Sequence, residues 1–225
     1  MKDFTQSYEE FYIERFIYSI AEVETYEDKK KIMQSVLEAY QYLLEVDGPL
    51  TLGNIKTVGN KVNSTDENIP EGFRRIVVTP GDKAHFTPVR PNLVPSSLSD
   101  LLYNYYYIWE GLDPFLKEAM FHIKYMRIHP FEDGNKRSGK LILTTNLCKA
   151  GLPPILITKE DTSAYYEFVS EEDYEGFAEF IRQRSHIENT TMCAFYKAYY
   201  DLSILDDVDG EEVQKSLVFK KDTRN

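Results

Sequence analysis

The sequence predicts a mostly α-helical protein interrupted by one β-hairpin. Apolar residues recur at three- and four-residue spacing along most of the chain, the mark of helices burying one face. Proline, glycine and Asx residues punctuate these stretches where helices start and stop. A single β-prone stretch, residues 73–89, breaks the helical pattern.

Phe4, Tyr8, Phe11, Phe16 and Ile20 suggest a loose first helix, and Ile32, Met33, Val36, Leu37, Tyr40, Leu43 and Leu44 form the stripe of a second. Gly48-Pro49 follows as its stop. A short helix is expected over 52–62, then an aperiodic loop over 63–72. Residues 73–78 and 83–89 read as two strands joined by Thr79-Pro80-Gly81-Asp82, with proline and glycine in the central places of a type II turn. An isolated hairpin of this kind must pack on something to persist.

Helices resume at 97–110. Asp113-Pro114 reads as an N-cap followed by proline in the first turn. The stripe Phe115, Leu116, Ala119, Met120 and Ile123 must end before Pro130, because the residue preceding a proline is pushed out of helical geometry. Another helix is expected over 135–150, closed by Gly151 and Pro153-Pro154, with further helices over 163–169 and 173–205. The pattern divides the chain into a helical extension (1–49), a core domain (50–205) and a tail (206–225) read as mobile.

The composition, 42% hydrophobic and 28% charged, suits one globular domain rather than a disordered or membrane-spanning chain. A net charge of -11 opposes binding to nucleic acid or to an anionic membrane. The 17 tyrosines fit a helical core with wet edges. Cys148 and Cys193 have no metal or redox spacing and read as thiols in a reducing compartment. No stretch resembles a secretory leader or a membrane span, so a cytoplasmic protein is the expectation. Against the acidic background, five Lys/Arg fall between residues 124 and 140.

Within that island, His129-Pro130-Phe131-Glu132-Asp133-Gly134-Asn135-Lys136-Arg137 joins two helices. A helix start presents unpaired N–H groups and the positive end of the macrodipole, which together bind phosphate. Gly134 leaves the approach clear, Asn135 adds an amide and Arg137 a fork for phosphate oxygens. Asp133 is a hard ligand of the kind Mg²⁺ uses alongside substrate phosphates. His129 stands where it could take a proton from an attacking hydroxyl, and nearby positive groups should keep it neutral. A metal hydrolase built on His122, His129 and Asp133 fits poorly, since no third nitrogen ligand lies nearby.

These nine residues resemble the signature of the Fic family (filamentation induced by cyclic AMP), His-Pro-Phe-x-Asp/Glu-Gly-Asn-Gly/Lys-Arg, at every specified position. The resemblance extends over roughly residues 50–185. Residues 73–91 look like the family's flap hairpin, and Tyr165-Tyr166 with Asp173 like its adenine-side segment. It implies a Fic-type helical bundle with one β-hairpin flap. It also implies a protein adenylyltransferase that uses ATP and Mg²⁺: His129 is the base and Asp133 the metal ligand. Gly134, Asn135, Lys136, Arg137 and Lys140 then face the phosphates. The target protein would dock its Ser, Thr or Tyr segment on the flap by strand addition.

The chain departs from the family pattern in places. Lys136 replaces the Gly of many AMP-transferring members and is shared with Doc-type members, which phosphorylate their targets. A Doc-like kinase and a non-catalytic binding module are therefore the alternatives. Lys140 stands where many members carry a second Arg for the γ-phosphate. Glu22 is a candidate degenerate inhibitory residue, and Asp173 replaces an amide often found there. Self-modification and homo-oligomerisation are left open by the sequence.

Overall fold

In the computed structural model, residues 8–21, 26–81 and 84–200 are described. They form eight α-helices: α1 (Tyr8–Ala21), α2 (Tyr26–Glu45), α3 (Leu52–Val62), α4 (Val94–Tyr103), α5 (Pro114–Ile128), α6 (Asn135–Lys149), α7 (Thr162–Glu171) and α8 (Tyr174–Tyr200). Glu22 and the segment 206–225 lie outside the described residues.

The central pair is α5 and α6, with α8 and α4 packed on α5 and α2 and α3 on α6. Twelve of the fifteen residues of α6 are buried, which makes it the core helix. Such a helix, covered all round, shows no amphipathic stripe. Small residues admit its neighbours: a Cβ at Gly139 would lie 3.1 Å from Met126 Sδ and 3.2 Å from His122 Cε1 of α5. The first two helices join the same core through Tyr12, Phe16, Tyr40 and Leu43.

Local chemistry sets the helix ends. Asp113 accepts from Leu116 N–H at 3.1 Å and caps α5, with Pro114 in its first turn. Thr51 and Asn54 form a capping box on α3, an Asn serving where Glu or Gln is usual. Helix α4 begins at Val94, earlier than expected, because Pro95 is accommodated in its first turn where no N–H is needed. It runs on through a π-helical turn, Asn104–Ile108.

The expected hairpin is not formed: among the described residues there are no strands, and residues 73–81 and 84–90 carry no ladder, with bends at 73 and 76. The physical reason is Arg74. Its guanidinium donates to Ile76 O (2.9 Å) on one arm and to Val89 O on the other, so a side chain ties the arms together instead of backbone pairing. The tip is closed by Ala84 N–H donating to Gly81 O at 2.8 Å.

Candidate active site

Helix α5 ends at Ile128, and His129 turns out of it with φ 53 and ψ 64, a left-handed conformation. Histidine is among the few non-glycine residues that adopt this region at modest cost. Its N–H still donates to Tyr125 O (3.0 Å), so the residue is anchored to the helix it terminates. Nδ1 lies 3.2 Å from Met126 O; a carbonyl only accepts, so the neutral ring carries its proton on Nδ1. Nε2 is left as the basic atom. Burial is the largest influence on this ring and holds its pKa below the usual histidine value; Arg74 pushes the same way, while Met126 O and Asp133 oppose.

From Pro130 the chain crosses to α6 in a loop held from inside. The ring of Phe131 is buried on Gly59 of α3. Its N–H donates to Asn135 Oδ1 and its carbonyl accepts from Asn135 Nδ2, both at 2.9 Å. Asn135, which also lines the adjoining cavity, therefore closes the loop with its side-chain amide. Gly134 enters α6 with φ 75, and a Cβ there would come within 2.5 Å of Asn63 Oδ1. No side chain caps α6, so its start keeps the open, positive end that accepts anions.

The loop borders a cavity of about 250 Å³. The cavity is lined by His129 and residues 132–137, by Phe86 and residues 79–81, and by Tyr166 of α7. Phe86 stands edge-on to the His129 ring at 6.3 Å and beneath the Arg127 guanidinium at 5.3 Å. Lys136 Nζ lies 5.7 Å from the Tyr166 ring centre. Asp133 Oδ2 accepts from Arg137 at 2.7 Å, with the Asp133 side chain 63% exposed.

Three expected residues stand away from the cavity lining. Lys140 points into the core and donates to Ile157 O at 2.8 Å. Tyr165 is fully buried, its hydroxyl 2.9 Å from His122 Nε2. Asp173 accepts from Gly176 N–H at 2.8 Å and starts α8. Arg137 does line it, yet also donates to Val62 O (2.9 Å) and to Asn63 Oδ1 (3.3 Å).

Sequence reasoning missed Asn63 and Arg74. Asn63 donates to Asp133 O at 2.9 Å and ties the end of α3 to the loop. Arg74 donates through Nε to His129 O at 2.6 Å. Nothing in a loop or a strand-like run marks either residue, because each acts on a partner more than fifty positions away.

Among the described residues no group of three metal-ligating side chains occurs. Glu132 and Asp133 both bring carboxylates to the cavity, and one or two carboxylates fit a Mg²⁺ ion that draws its other ligands from substrate phosphates and water.

A histidine at a left-handed turn beside an uncapped helix start, on a helical frame, defines the site. The chain belongs to the Fic/DOC family, whose model matches residues 25–147. It is 34% identical over 142 residues to a protein adenylyltransferase Fic of Aedes aegypti, across 59% of this chain and 27% of that protein. A protein adenylyltransferase Fic of Drosophila melanogaster is 42% identical over 73 residues, 31% of this chain and 15% of that one. The chain thus spans about a quarter or less of these relatives. Among solved structures, Fic-1 from C. elegans superposes with a TM-score of 0.68 at 18% identity, covering 86% of this chain and 65% of that one. An IbpA Fic domain in complex with adenylylated Cdc42 gives 0.52 at 16%, covering 73% and 62%. Both likenesses are of fold.

Proposed function

We propose that this chain transfers AMP from ATP to a hydroxyl of a target protein, with His129 as general base. The observation that carries this reading is the His129 turn: a ring with Nε2 basic, lining the same cavity as the open start of α6. The naming of its relatives as protein adenylyltransferases supports it.

In the proposed reaction Nε2 takes the proton of a Ser, Thr or Tyr hydroxyl as its oxygen attacks the α-phosphorus. The bond from that phosphorus to the bridging oxygen breaks and pyrophosphate leaves. N–H groups at the start of α6, Lys136 and Arg137 face the phosphates, and Gly134 lets them approach. Mg²⁺ held by Asp133 would offset negative charge on the phosphates. The target segment lies along residues 73–91, where Ile76 and Val77 are exposed. The reaction belongs in a reducing, cytoplasmic compartment, consistent with Cys148 and Cys193 both being free thiols.

A second reading, phosphate transfer, rests on Lys136 lining the cavity. The two separate on ATP labelled at one position: label from the α-phosphate on protein supports AMP transfer, and label only from the γ-phosphate supports phosphate transfer. Asp133→Asn is expected to reduce either transfer about 100-fold at fixed Mg²⁺, with ATP-dependent labelling as the measure. Undiminished labelling would remove Asp133 from the metal role.

The pH dependence follows from the lowered pKa of His129. A base acts when neutral, so the acid limb of the transfer rate should fall below the ordinary histidine value of about 6.5. An acid limb at or above that value would contradict a ring held neutral by burial.

A further inference from the structure

Three successive carbonyls at the end of α5 have no helical partner to receive, because Pro130 and the left-handed turn at His129 stop the helix there. All three are met by one residue. Arg74 N–H donates to Pro130 O at 2.9 Å, its Nε to His129 O at 2.6 Å, and one terminal nitrogen to Ile128 O at 3.3 Å. The rest of the same guanidinium holds Ile76 O and Val89 O, on the two arms of the segment that borders the cavity. Arg74 is only 2% exposed, so these bonds are not exchanged freely for water. A cation at a helix C-terminus also meets the negative end of the macrodipole.

From this geometry we infer that Arg74 is a positioning residue for His129, tying the turn that carries the base to both arms of the overlying segment. The inference rests on His129 acting as the base. It makes base and overlying segment one mechanical unit: the ring is aligned only while residues 74–90 are seated. Lysine cannot replace arginine here, since an ammonium has three donors at one point and cannot span carbonyls on three separate stretches of chain.

The His129 ring gives an independent electrical readout. Arg74 and Asp133 act on it with opposite sign, and Glu132, Lys136, Arg137 and Tyr166 line the same cavity, with Arg127 behind Phe86. Removing the Arg74 charge releases one of the influences that keep the ring neutral. The acid limb of Arg74→Gln should therefore move to higher pH, while Arg74→Lys keeps the charge and loses only the geometry.

The experiment compares wild type, Arg74→Lys, Arg74→Gln and His129→Ala in the full chain, measuring ATP-dependent self- or target-labelling and backbone hydrogen exchange. Arg74→Lys is expected to lower kcat about 100-fold, the scale of a misplacement of about 1 Å, with KM for ATP nearly unchanged. Exchange should quicken together at the bonded N–H groups of Arg74, His129 and Phe131. An unchanged kcat, a loss confined to KM, or unchanged exchange would overturn the inference. If His129→Ala labels as well as wild type, the proposed function falls instead, and hydrogen exchange still decides whether the clamp exists. Should both Arg74 variants fail to fold, the wild type supplies the test. The Arg74 Nε–H signal in a ¹⁵N spectrum must exchange slowly with solvent, and rapid exchange would show that the clamp is not made.

Discussion

His129→Ala is expected to lower protein labelling from ATP by about 10²–10⁴-fold, the range that one general base contributes. The loss should fall on kcat, because the N–H groups at the start of α6 and the Arg137 fork do not depend on the imidazole. Alanine tolerates a left-handed φ less well than histidine, so some of the loss in that variant could come from a shifted turn. His129→Asn separates the two causes. Asparagine accepts positive φ but has no basic nitrogen, so the turn should stay and the activity go. Labelling by His129→Asn at the wild-type rate would eliminate the histidine as base, whatever the alanine variant did.

The largest stability effect is expected from a methyl group far from the chemistry in sequence. A Cβ on Gly59 would overlap the Phe131 ring. That ring cannot yield easily: it is 1% exposed, packs on Phe73 with centroids 5.8 Å apart, and its backbone is pinned on both sides by Asn135. Forcing extra volume into such a site costs about 1–3 kcal/mol. For a chain of this length each kcal/mol lowers Tm by about 2–4 °C, so Gly59→Ala should melt roughly 2–12 °C lower. Labelling should fall too, because Phe131 seats the loop between His129 and the start of α6. Adding Phe131→Leu to Gly59→Ala should recover part of the lost Tm. No recovery would mean that the overlap is not the cause.

What could be read from the residues, and what could not, divides along a physical line. The stop of α5 before Pro130, the start of α6 after Gly134 and the cap at Asp113 were legible because proline, glycine and Asx residues act on the backbone within a few positions. The loop from His129 to Arg137 was legible for the same reason, as nine consecutive residues whose spacing is their geometry. The hairpin was not: strand propensity at 73–78 is real, but a buried Arg74 side chain bonds one carbonyl on each arm, a tertiary contact that local propensity does not reveal. Tyr165 and Tyr166 are neighbours in sequence, yet one is sealed against His122 and the other lines the cavity, since successive helix positions face about 100° apart.

Taken alone, the order of residues determined the helical class, the helix ends marked by proline, glycine or an Asx cap, and the chemical content of the loop, all of which arise from local backbone preferences. Only the tertiary structure decided which side chains reach the cavity. Lys140 went to the core and Asn135 to the closing of its own loop, while Asn63 and Arg74, undistinguished in sequence, became the ties that hold it. The reason is that a side chain's partner is set by which helices pack against its own, and buried donors bond whichever carbonyls that packing leaves unpaired.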